Sequence, residues 1–114
     1  MKVKLKKTPR EFKVGISGKT TIKDFGKIEA SENEMLSFVN QNGKEYDVAA
    51  KDWGFYATPS INGRLKNEGF KTGLVRNSFN KYYVVLVDED KMDSFYSYLK
   101  LDDQLLVEWL DERK

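Results

Sequence analysis

Two runs of alternating apolar residues, 35–41 and 44–50, meet at Asn42-Gly43. A two-residue type I′ turn needs positive φ at both central positions, which this pair tolerates and few others do. The chain is therefore expected to reverse here as a β-hairpin. A two-residue loop would pair Val39 with Tyr46, Ser37 with Val48 and Met35 with Ala50, and that face is expected to be buried.

Strand patterning continues on both sides of the hairpin. Val3 and Leu5 alternate with lysines, as in a short guarded edge strand, and Thr8-Pro9 is expected to end it. Phe12, Val14 and Ile16 alternate over 11–16, and Ser17-Gly18-Lys19 is a turn. Ile22, Phe25 and Ile28 are spaced around Gly26 as in a bulged strand. Residues 70–77 read as a strand with Gly73 inside it. Residues 82–87 are apolar on both faces and read as a central strand. Residues 105–110 alternate as a last strand.

Helix signals occur twice. Thr58 fits an N-cap and Pro59 the first helical position, with Ile61 and Leu65 on one face and Gly69 at the C′ position. Gly63, inside this helix, leaves room for close approach of a backbone or a ligand. Asp90 is expected to cap a second helix, in which Met92, Phe95, Tyr96 and Leu99 keep an i, i+3, i+4, i+7 stripe.

From residue 45 the order is strand, helix, strand, strand, helix, strand, the ferredoxin-like split βαβ order. Right-handed crossovers would then give a mainly antiparallel sheet with both helices on one face, which the N-terminal strands extend or accompany as a second sheet. The expectation is one α+β domain over 1–114, a usual domain length. This order resembles that of RNA-recognition domains, whose aromatics project from the two central strands. Tyr82 and Tyr83, in Lys81-Tyr82-Tyr83-Val84-Val85-Leu86-Val87, take those places, although the Gly-aromatic pattern of the longer RNA motif is absent.

Composition narrows the chemistry. Hydrophobic residues at 39% and aromatics at 13% suffice for a core and argue against global disorder. No apolar run approaches the roughly 18 residues of a membrane span. The basic start, Met1-Lys2-Val3-Lys4-Leu5-Lys6-Lys7, lacks the apolar region of a secretory signal, so a cytoplasmic protein is expected. Cysteine and histidine are both absent. That excludes disulfides, thiolate nucleophiles, Ser-His and Cys-His pairs and His-ligated metals, and no metal or cofactor is expected. Gly15-Ile16-Ser17-Gly18-Lys19-Thr20 resembles the end of a phosphate-binding loop. It has two residues between its glycines where the motif needs four, and β-prone residues follow it where a helix should start.

The densest site-like stretch runs over 51–65. Trp53 and Tyr56 offer ring faces for stacking, beside a helix start with free N–H groups. Ser60, Asn62 and Arg64 add polar groups, with Lys66 and Arg76 as further anion contacts. In the competing reading Trp53 and Phe55 close a sheet edge. The ligand expected at this stretch is a small anionic or polyhydroxylated molecule (a sugar, a nucleotide or a sugar nucleotide) or a protein partner, bound by a non-catalytic accessory domain.

Three other readings stand beside it. Residues 1–27 hold nine Lys or Arg against two Asp or Glu, while 88–114 hold four against nine. Lys2, Lys4, Lys6, Lys7, Arg10 and Lys13, with Tyr82 and Tyr83, suit single-stranded nucleic acid, although a pI near 8.7 lies below the usual footprint of such domains. The same lysines can instead pair with the acidic C-terminal residues. An enzyme would have to rely on Asp, Glu, Tyr or Arg alone, with Asp47, Asp52, Asp88 and Glu108 as its carboxylates. Tyr98 and Leu101, with Leu106 and Leu110, form a face that is either core or a surface for a partner or a homodimer.

Overall fold

Strand pairing dominates the computed structural model, which describes residues 1–114, and every pair of strands is antiparallel. Two α-helices accompany the sheets, as an α+β chain requires. The residues divide into two compact units, Met1–Thr58 and Pro59–Lys114.

The first unit is all strand. β1 (Lys2–Val14) and β2 (Thr20–Glu29) form a long hairpin, closed at Val14–Thr20 by a turn in which the Gly18 N–H donates to the Gly15 carbonyl. The residues that resemble a phosphate loop are this turn, and no helix follows it. Thr8-Pro9 does not end the strand, contrary to expectation. Leu5 pairs with Gly26 and Arg10 with Asp24, so the residues between them on β1 bulge opposite Phe25 alone. Proline lacks an N–H and is tolerated at such a bulge, where no ladder bond is lost.

Asp24 closes the bulge. One carboxylate oxygen accepts the Gly26 N–H at 2.9 Å, and the other lies 3.3 Å from the Arg10 guanidinium and 3.9 Å from the Lys6 ammonium. The Gly26 hydrogen bond, then the charges of Lys6 and Arg10, hold this carboxyl below its ordinary pKa. A depressed folded value means that the contribution is complete above the unfolded pKa, about 3.9, and is lost as pH falls through the lower folded value. Asp24→Asn should therefore flatten the acid limb of a melting-temperature profile below about pH 4. An unchanged acid limb would show that the bulge does not depend on this charge.

β3 (Met35–Val39), β4 (Glu45–Lys51) and β5 (Gly54–Ala57) form a three-stranded meander in that order. The β3–β4 hairpin exists, but its register is one residue away from that of a two-residue loop. Phe38 faces Tyr46 and Leu36 faces Val48. The cause is Asn40. Its side-chain oxygen accepts the N–H groups of both Asn42 and Lys44, and its own N–H donates to the Lys44 carbonyl. This closes a three-residue loop that ends with Gly43 at φ 78°, a favoured hairpin connection. Asn77 does the same in the second unit, accepting from Phe79 and Lys81, with Asn80 at φ 59°.

The ferredoxin-like order is not what forms. In it the 45–51 strand would share a sheet with 70–76 and 82–88, but β4 pairs with β3 and β5 only. The chain reverses at Asp52-Trp53, with Gly54 at φ 145°, and β5 takes the open edge of β4. A stretch read as a crossover is the last strand of a meander.

In the second unit β6 (Phe70–Arg76) is central, flanked by β7 (Tyr82–Asp88) and β8 (Leu105–Trp109). The 82–87 strand was expected to be central. It is an edge, and Tyr82, Tyr83 and Val84 are exposed. α1 (Arg64–Asn67) is a single turn and starts later than Thr58-Pro59 implied. The Ser60 hydroxyl accepts the Arg64 N–H and its carbonyl accepts Leu65, while Gly63 keeps a non-helical backbone. Gly69 ends the turn at φ 89°, as expected of a C′ glycine. α2 (Met92–Leu101) buries Leu99. A 3₁₀ turn over Glu89–Lys91 precedes it, and Asp88 rather than Asp90 caps that turn.

Leu65, Phe70, Val75, Val87 and Leu99 are the buried apolar residues of this unit. Gly73 makes room beside them: a Cβ there would stand 3.1 Å from the Trp109 indole, whose ring lies 5.7 Å from that of Phe95. The first unit has no counterpart to this core. Its buried apolar residues are Ala49 and Ala50, and most of its large apolar side chains are exposed, with Val14, Leu36 and Val48 half-buried.

Candidate functional site

Some of the exposed apolar side chains of the first unit converge with half-buried and buried ones. Leu5, Phe25 and Ile28 of the hairpin and Leu36, Phe38, Val48, Ala50 and Phe55 of the meander line one groove of about 370 Å³. Local geometry explains both walls. Phe25 and Ile28 are three apart, so simple alternation would put them on opposite faces. The bulge at Gly26, whose φ is 127°, shifts the phase and turns both into the groove. On the meander, the Asn40 loop sets the register that puts Leu36 and Phe38 on the same face as Val48, Ala50 and Phe55.

Water reaches much of this surface. Phe25 is 51% exposed, Phe38 61% and Phe55 77%. Lys23 is the one charged side chain lining the groove. Lys23, Lys13 and Glu11 share a face of the hairpin, because Glu11 pairs with Lys23 and Lys13 with Thr21.

The residues expected to form a ligand site fall into two groups. In the first unit, Trp53 stands at the β4–β5 turn, 68% exposed. Tyr56 pairs with Ala49 and Phe55 with Ala50, so Tyr56 lies on the sheet face opposite Phe55 and away from the groove. In the second unit, the Ser60 hydroxyl is engaged by the Arg64 N–H, and Arg64 lies 4.0 Å from Glu68. Asn62 and Lys66 are exposed, and Arg76 is half-buried on β6, paired with Tyr82 and Leu105. Phe55 is the member of the aromatic run that the structure brings to the groove.

The other candidates have local roles in their own units. Asp47 is buried and accepts the Ser37 hydroxyl. Asp52 lies in the β4–β5 turn, Asp88 caps a 3₁₀ turn, and Glu108 pairs with Arg113 at 2.6 Å. No three carboxylates converge in a metal-holding cluster. Tyr82 and Tyr83 belong to the second unit, the N-terminal lysines to the first. Tyr98 and Leu101 are exposed, while Leu106 and Leu110 are half-buried. No helix is long and apolar enough to cross a membrane.

Sequence pattern alone does not mark Leu5, Ile28, Leu36 and Phe38 as site residues. One usable signal was the Phe25-Gly26-x-Ile28 spacing, which already implied a bulge. The other was Asn40, whose side chain competes with Asn42-Gly43 for control of the turn. Comparison with family models, with curated proteins and with solved structures finds no match to this chain.

Proposed function

We propose that this protein is a non-catalytic binding module and that the groove of its first unit receives apolar side chains of a protein partner. The observation that carries this reading is the groove itself. Phenylalanines from β2, β3 and β5 surround it and remain open to water, in a unit whose only buried apolar side chains are two alanines. Fully covering one such side chain is worth about 1.5–3 kcal/mol, so a partner that seats a few side chains gains enough to bind. A protein suits the groove better than a sugar or a nucleotide. Those ligands need hydroxyl and amide partners, and the lining side chains are apolar apart from Lys23. The lack of cysteine suits such a module to a reducing compartment such as the cytoplasm.

Panning a random library of displayed short peptides against the full chain tests this. Peptides with closely spaced large apolar residues should be enriched. Their affinity should fall at least about tenfold for Phe38→Asp, since losing one buried aromatic anchor costs that much or more. Circular dichroism should stay unchanged, because Phe38 is an exposed side chain. If no peptide is enriched, or if the enriched peptides bind the variant equally well, the groove is not the binding surface.

A further inference from the structure

We infer that the segment bound in the groove is acidic as well as apolar, with its carboxylates reaching Lys23 and Lys13. This rests on the groove reading above and adds the chemistry of the partner.

The charge of the hairpin is the second observation. Its acidic residues are largely committed within the hairpin itself. Asp24 is held by Arg10, Lys6 and the Gly26 N–H, and Glu29 pairs with Lys4 at 2.9 Å. Lys2, Lys7, Lys13, Lys19, Lys23 and Lys27 form no ion pair. Two of these six sit where the groove needs them. Lys23 lines it beside Phe25, and Lys13 follows along the same face of the hairpin. Glu11, opposite Lys23, is the one carboxylate on that face and makes no ion pair with it.

An apolar cleft that continues into a cationic strip complements a segment with the same two parts. Its large side chains fill the space between Phe25, Phe38 and Phe55, and its carboxylates lie along the strip. Charge of this kind sets specificity and encounter rate and suppresses wrongly charged partners. Nucleic acid fits less well, because the groove offers a base no hydrogen-bonding side chain other than Lys23. A membrane fits less well because the phenylalanines line a recess, whereas lipid insertion uses apolar groups that project.

The enriched peptides supply the probe. They should carry an excess of Asp and Glu beside their apolar residues, and high salt should weaken them. The double variant Lys13→Glu, Lys23→Glu should lose about tenfold in affinity for them and, panned afresh, should select Lys- and Arg-bearing peptides. That reversal separates a charge contact from a merely structural role. Phe38-dependent peptides without charge bias, equally bound by the double variant, would overturn this inference and leave the groove reading standing. Absence of Phe38-dependent peptides would remove both. Tighter Phe38-dependent binding to phosphatidylserine vesicles or to oligothymidine than to any peptide would also overturn it, in favour of a membrane or nucleic acid.

Discussion

Gly26→Ala should destabilise the first unit by about 3 kcal/mol or more, combining the strain of a disallowed backbone with a steric clash. Two facts set this size. The φ of 127° lies where side chains rarely go, and an added Cβ would collide with the Lys4 carbonyl oxygen, inside the ladder of the hairpin. Neither the backbone of β1 nor that of β2 can move without breaking the Leu5–Gly26 pairing. Gly18→Ala is the control. Gly18 also has positive φ, but nothing lies within 4 Å of its Cβ position, so its cost should stay near about 1 kcal/mol. Urea unfolding curves of the two variants measure the difference, and equal losses would mean that the close approach at Gly26 carries no weight. Because Gly26 also turns Phe25 and Ile28 into the groove, its alanine variant should lose peptide binding as well.

The second large effect belongs to Asp111 in the other unit. Its carboxylate is buried, accepts the Thr72 N–H at 2.8 Å, and lies 3.4 Å from the Lys71 ammonium. Lys71 in turn sits 4.8 Å from the centre of the Trp109 ring. Asp111→Ala strands a buried backbone donor on the central strand and leaves the half-buried Lys71 with only its second ion pair, to Glu112 at 3.7 Å. Leaving that buried donor unsatisfied costs about 1–3 kcal/mol, to which the lost charge contact adds. Asp111→Asn keeps an acceptor for Thr72 and should cost only about 1 kcal/mol, the net worth of the lost charge contact. If alanine and asparagine are equally destabilising, the ion pair matters and the Thr72 hydrogen bond does not.

Strand propensity was legible along most of the chain, and so were the Gly69 helix stop and the stripe of α2. What the sequence hid was decided by side chains that bond to their own backbone. Asn40 overrode the two-residue loop and moved the register by one, which exchanged the faces of Leu36 and Phe38 with those of Met35, Ser37 and Val39. Ser60 delayed the helix to Arg64. Gly54 looked like part of an aromatic loop, but its positive φ makes the reversal that turns a crossover into a third strand. Each is a local choice with a non-local result, because a one-residue shift in a strand inverts its faces. The aromatic stretch is dense in ring side chains. The groove is built instead from one or two apolar residues of each of five strands, a constellation that composition and spacing do not reveal.

The most direct test is an amide chemical-shift map of the full chain titrated with a peptide enriched by panning. The largest changes should fall at Phe25, Ile28, Leu36, Phe38 and Phe55, with smaller ones at Lys13 and Lys23. Changes confined to Trp53, Tyr56 and residues 60–64, or to the β6–β8 sheet, would contradict a groove site and place binding at the aromatic stretch or in the second unit.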